Sequence, residues 1–247
     1  MSTPAARAQE VLDALERQGT KAQRDGMARY GIPVGNAFGV SVADLHVHAK
    51  RLGRDHALSE ALWDTGRYEA RLLAAFTGEP ELVTAAQMDR WAKAFDSWAV
   101  CDTVCLHLFD RAPHAWKKVA PRCRNRAEFV RRAGFALLAA LALHDKTAAD
   151  APFLEALPLV EDTADDDRNF VKKAVNWALR AVGQRNAALH AAAIVLAERL
   201  AARDEPSARW IGKDALRDLR RPLVRKRLEA RAKKATAQAK RPAAKKR

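Results

Sequence analysis

The sequence is poor in the residues that punctuate or staple a chain. Its 247 residues include only 11 Gly, 10 Pro and 3 Cys. The odd set Cys101, Cys105 and Cys123 excludes a complete disulfide framework and fits a reducing compartment. With Gly and Pro scarce and no run of strand-like alternation, a β-rich fold is disfavoured. No apolar run approaches the roughly 20 residues that span a bilayer. The stretch MSTPAARAQEVLDALERQG carries charges where a signal peptide has its apolar core. A cytoplasmic protein without membrane attachment is expected. There is no Gly-rich phosphate loop and no nucleophile elbow. Cys101 and Cys105 stand at i, i+4, yet third and fourth ligands are missing, so no metal is expected. His46, His48 and His107 read as helix-surface residues.

Acidic residues are nearly absent from the C-terminal stretch. Of a formal charge of +14, residues 220–247 hold +12, with 13 Lys/Arg against the single acid Glu229. Only +2 is left for the rest, so the basic pI belongs to the tail. The tail is rich in Ala, Lys and Arg, and reads as a helix that frays into a flexible polybasic arm. Such an arm attracts phosphates without reading sequence. The expected organisation is one domain over residues 1–220 and a basic tail over 221–247, partly helical and then disordered.

What the sequence does have is helical periodicity. Apolar residues recur at i, i+3, i+4 and i+7 almost throughout. Ser2-Thr3-Pro4 is a helix start, Ser41 and Thr84 are caps, and Gly31–Asn36 is a loop. Pro113, Pro121, Pro152, Pro158 and Pro206 fall at plausible helix edges. This predicts about a dozen helices of roughly 10–20 residues. Successive pairs, such as 42–52 with 55–65 and 68–77 with 85–95, suggest antiparallel hairpins. Stacked hairpins predict an all-α helical solenoid with a concave face, with a less regular helical bundle as the alternative.

Three segments carry chemistry. In Arg168–Gly183, Val171, Ala174, Val175, Ala178 and Val182 gather on a core face. Asn169, Lys173, Trp177, Arg180 and Gln184 form a second, cationic stripe, which places Trp177 among basic residues. In Phe95–Phe109, Trp98, Asp102, Cys105 and Phe109 fall on one stripe. A mid-helix carboxylate beside apolar residues is costly unless paired. Asp102 is therefore either a structural ion pair with an arginine or a charge in a cleft awaiting a ligand. Asp96-Ser97 reads as a helix cap. Glu128–Leu143 is apolar except for Arg131 and Arg132 near its start. The Arg132 guanidinium could bind phosphate, hold Asp102, or do both.

At RYGI, FGVSVADL, ALWDTGRYEARLLAAF, FDSWAVCD, EFVRRAGFALLA and NFVKKAVNWALRAVGQRN, the chain resembles the AlkD family of HEAT-like DNA alkylation repair glycosylases. The likeness runs from about residue 7 to 220. It implies a HEAT-like helical-repeat solenoid (antiparallel helix pairs) with a concave basic face, on which Trp98, Asp102, Trp177 and Arg132 surround a damaged nucleotide. Phe129 departs from the tryptophan that often precedes the arginine in relatives. The resemblance further implies hydrolysis of the N-glycosidic bond of cationic alkylated purines, such as 7-methylguanine or 3-methyladenine, in duplex DNA. Strand cleavage and cofactors are not implied. Arg131, Lys172, Lys173, Arg180 and Arg185 are the expected DNA-binding residues. A monomer in a bacterial cytoplasm, on the nucleoid when bound to DNA, fits this picture. The competing expectation is a non-catalytic HEAT-like protein that binds distorted or branched DNA.

Overall fold

The computed structural model describes the backbone of residues 2–239 and side chains through Lys233. Among these residues there are fourteen α-helices and no strand, the all-α class expected. They form two compact units that divide between Leu137 and Leu138.

The first unit holds α1 (Pro4–Gln18), α2 (Lys21–Ala28), α3 (Val42–Leu52), α4 (His56–Asp64), α5 (Tyr68–Thr77), α6 (Ala85–Lys93), α7 (Trp98–His107) and α8 (Ala115–Cys123). The division between the units falls within α9 (Glu128–His144). Short polar side chains start most of these helices, because the first turn leaves backbone N–H groups without partners. Thr3, Ser41, Asp55, Thr84 and Ser97 each accept from an N–H three residues on. Of the predicted Asp96-Ser97 cap, Ser97 does the capping and Asp96 pairs with Arg71 at 3.2 Å.

The core of this unit is aliphatic around an indole stack. Leu58, Leu62, Leu72 and Leu73 are buried, and Trp63 lies flat on Trp91 with centroids 4.0 Å apart. The predicted hairpin of α3 with α4 is not the principal packing. Both helices pack on α5, and α5 goes on to meet α7. The short connection Gly53–Asp55 joins α3 and α4 in sequence without making them main partners.

A buried carboxylate fixes the loop before α3. Glu69 is fully buried and accepts from the N–H groups of Phe38, Gly39 and Val40 at 3.0, 2.7 and 3.2 Å. Gly39 sits at φ +87°, a left-handed conformation that glycine adopts without strain. Glu69→Ala orphans three donors at once. It is expected to lower stability by about 3 kcal/mol in equilibrium denaturation; a change under about 0.5 kcal/mol would mean that water replaces the carboxylate without penalty.

Two expected helix edges prove internal. Pro121 lies within α8 and Pro158 within α10 (Ala151–Asp162). Both are exposed, so the carbonyl that each proline leaves without its helical donor can turn to water. The predicted helix Phe95–Phe109 is shorter, because Leu108 leaves helical geometry at φ −136° and ends α7 at His107. Residues Ala133–Ala142 of α9 are buried on every side, which suits their unbroken apolar sequence.

The second unit continues with α10, α11 (Asn169–Gly183), α12 (Ala187–Ala201), α13 (Pro206–Leu219) and α14 (Pro222–Ala239). A Cβ on Gly212 would come within 2.2 Å of the Ala201 nitrogen, so α12 and α13 cross closely there. Along α11 and α13, Lys172 meets Trp210, Asn176 meets Asp214 and Gln184 meets Asp218. The paired numbers rise together, so the two helices run parallel. Helix α14 does not begin as a free arm. Val224 and Leu228 are buried, and Arg231 donates to the carbonyls of Gln184 and Arg185 at the end of α11. The boundary expected at residue 220 therefore cuts through a packed region. The disorder predicted for the extreme tail concerns residues 240–247, outside the described residues.

Candidate nucleic-acid and catalytic site

The exposed strip of α7 is formed by Trp98, Asp102, Thr103, Leu106 and His107, each partly accessible. Cys105 and Phe109, predicted on the stripe with Trp98 and Asp102, are buried instead. One turn separates Trp98 from Asp102, which puts them side by side on the helix surface. Trp98 is anchored, since its Nε1 donates to the Tyr30 carbonyl at 2.9 Å. That bond fixes the indole plane and ties the RYGI segment to α7.

Asp102 does not stand alone. Arg132 Nε donates to Oδ1 at 2.9 Å and Nη2 to Oδ2 at 2.6 Å, a two-pronged grip. The Asp102 side chain keeps 17% of its surface, and that of Arg132 only 7%. The carboxylate is thus neither sealed nor free. A guanidinium fork uses one acceptor position on each oxygen and leaves others available. Burial raises the carboxyl above its ordinary range, and Arg132 pulls it back. Burial alone would lower Arg132, but the facing carboxylate raises it on balance.

The neighbouring Arg131 turns elsewhere, with Nε donating to the Asn125 carbonyl at 2.6 Å. Arg132 is therefore the arginine that meets Asp102. Cys101 and Cys105, beneath the strip, are buried thiols, and burial pushes Cys101 well up. Among the described residues, no group of three His, Cys, Asp or Glu could hold a metal ion. No described helix is long and apolar enough to cross a membrane.

In the second unit, all five residues expected on the core face of α11 are buried. Trp177 is half-buried, with Lys173 exposed and Arg180 partly exposed on the same side. Lys172 lies over the ring of Trp210, its ammonium 5.1 Å from the centroid. Arg185 is committed differently from the other basic residues. Its guanidinium donates to the carbonyls of Leu141, Ala142, Asp145 and Ala148 at 2.8–3.4 Å and lies over Phe153 at 4.0 Å. These contacts close the end of α9 and its following turn, and they leave little of the fork for a phosphate.

Sequence reasoning missed three participants. The Tyr30 carbonyl carries no side-chain signal. The exposed Trp210 could have been found by its spacing to Asp214 and Arg217 on one face of α13. The basic side chains His46, Lys50 and Arg54 repeat every four residues along α3 and its end, and of these only His46 is picked out from the sequence, as a helix-surface residue.

The fold has a solved counterpart. A protein described as one of a new family related to the HEAT-like repeat DNA glycosylases, with affinity for branched DNA structures, superposes with TM-score 0.72. It is 22% identical, over 89% of this chain and 95% of that one. The architecture is thus a HEAT-like helical fold. Residues 11–219 match the family described as DNA alkylation repair enzyme, and the chain belongs to that family. No curated protein matches it.

Proposed function

We propose that the protein is a DNA glycosylase that hydrolyses the N-glycosidic bond of cationic alkylated purines, 7-methylguanine and 3-methyladenine among them, in duplex DNA. The observation that carries the reading is Asp102: a largely buried carboxylate that keeps some solvent access beside an anchored indole, in a family of alkylation repair enzymes. Alkylation gives the purine a positive charge and makes it a good leaving group. As the bond to C1′ stretches, cationic character passes to the deoxyribose. The Asp102 carboxylate stabilises that charge and orients the attacking water. Water adds its oxygen to C1′, the bonding pair leaves with the neutral purine, and the proton passes to solvent or Asp102. Trp98 offers its electron-rich face to the sugar cation. Arg132 positions the carboxylate. Trp177 offers a second indole to the DNA, and Lys172, Lys173 and Arg180 bind phosphates. Arg131 is a further phosphate contact. The chain acts as a monomer and without strand cleavage. Release of free 7-methylguanine from methylated duplex tests the reading, and absence of release at enzyme excess sinks it.

A second reading has its own support. Both Asp102 oxygens are engaged by Arg132, as a structural pair requires, and the solved relative is described by affinity for branched DNA. On this reading the chain binds such DNA without excision. Branched DNA bound more tightly than linear duplex, with no base release, would establish it.

The basic tail contributes affinity in either case. Removal of residues 234–247 takes away six Lys/Arg and spares the docked part of α14. The expected result is weaker DNA binding with a shallower salt dependence, by up to about 0.9 per lost phosphate contact in the log–log slope. Single-turnover excision is unchanged. An unaltered slope would show that the tail does not touch DNA.

A further inference from the structure

Outside the Asp102 site, the first unit holds a concave feature that the proposed chemistry does not use. A cavity of about 330 Å³ is lined by His46, Lys50, Arg54, Phe76 and His107, with Ala49 and Gly53. None of these lining residues is acidic. Three rings cluster where α3, α5 and α7 meet, with His46 and His107 themselves edge-on at 6.0 Å. His46 lies on Phe76 with centroids 4.4 Å apart and a tilt of 32°, and Phe76 meets His107 edge-on at 4.9 Å. Lys50 and Arg54 are exposed at the rim, and the Arg54 Nη1 also donates to the Gly78 carbonyl.

We infer that this pocket binds an unpaired nucleotide of a DNA strand, with the base against the exposed His46 ring of this cluster and the phosphate between Lys50 and Arg54. Each half of the pocket selects one half of the ligand. An anion alone has no use for a cluster of three rings, and an apolar planar molecule has no use for a rim of cations. A nucleotide carries both a π-face and a phosphate. The volume suits one such unit rather than a stack. A fully paired duplex keeps its bases inside and can offer only phosphates, so the exposed ring selects single-stranded DNA. The inference does not depend on Asp102 or on excision.

The test uses the full-length protein and the exposed pair His46→Ala/Lys50→Ala. Affinity is measured by fluorescence anisotropy for a blunt duplex, the same duplex with a single-stranded extension, and free dAMP as competitor. The expected result is a loss of at least about fivefold on the extended duplex, as removal of a base-stacking contact produces, with less than about a twofold change on the blunt one. Phe76→Leu, which keeps an apolar floor but removes the ring, should reproduce the selective loss. Equal losses on both duplexes would reduce the pocket to a general phosphate contact and overturn the inference, as would no loss at all. A variant that loses dAMP competition yet binds extended DNA normally would assign the pocket to free nucleotides, against the strand. If no variant or wild type excises bases, these affinities still decide the pocket, so the two proposals fail separately.

Discussion

Asp102→Asn is expected to slow excision of 7-methylguanine at least about tenfold, which corresponds to roughly 1.4 kcal/mol in the barrier. The substitution keeps size and shape but removes the charge that opposes the sugar cation. It also sets an amide nitrogen against an Arg132 donor, because Arg132 now grips both carboxylate oxygens. Single-turnover rates should therefore be taken well below the melting transition of the variant. DNA affinity should change little, since Asp102 contributes no positive charge. The pH profile provides an independent check. Activity needs the carboxylate, so it falls as pH drops through the folded-state value. Burial raises that value, and the acid limb should lie above the ordinary aspartate range in the wild type. The limb should disappear in the residual activity of Asp102→Asn. Excision that stays at the wild-type rate would remove Asp102 from the chemistry and favour the non-catalytic reading.

Arg132→Met should give the largest loss of stability tied to the site. The methionine replaces the hydrocarbon stem but leaves Asp102 largely buried without its partner. Breaking such a pair by removing one member costs several kcal/mol when fully buried, and about 2–3 kcal/mol is expected at pH 8 with the remaining solvent access. The sign of the pH dependence follows from the direction of the shift. A carboxyl whose folded value lies above its unfolded value favours the folded state while protonated, and that advantage is lost as pH rises through the folded value. Without Arg132 the Asp102 value rises further. The stability gap between variant and wild type should thus be smaller near pH 5 than near pH 8 in urea denaturation. An equal gap at both pH values would assign the cost to lost packing rather than to an unpaired charge.

Much of the fold was legible in the sequence because its signals are local. The start of α3 follows from the Ser41 cap, and the extents of α3 and α5 from apolar residues at helical spacing. The core face of α11 follows from the same periodicity. Local signals failed where a distant neighbour sets the outcome. Pro121 and Pro158 read as helix edges, yet both helices continue through them because the proline faces water and the rest of the helix has packing partners. Helix α3 is joined to α4 in sequence but packs on α5, since its apolar face is completed there. The polybasic tail concealed the docking of α14, which depends on the two apolar residues Val224 and Leu228 and on carbonyls left open at the end of α11.

The candidate site divides in the same way. Helical spacing alone placed Trp98 beside Asp102 and Trp177 among cations. It could not choose between an ion-paired and a waiting Asp102, because the deciding partner lies 30 positions away on another helix. Nor could it separate Arg131 from Arg132, adjacent residues that a helix turns about 100° apart. The cluster of His46, Phe76 and His107 was invisible for the same reason: three rings about 30 residues apart meet only when α3, α5 and α7 pack together. By itself the sequence determined the helices, their buried faces and the family, all of which are written in periodicity and local motif. Only the tertiary structure decided which charges meet and which rings line a pocket, because those outcomes depend on distances between side chains that chain order does not contain.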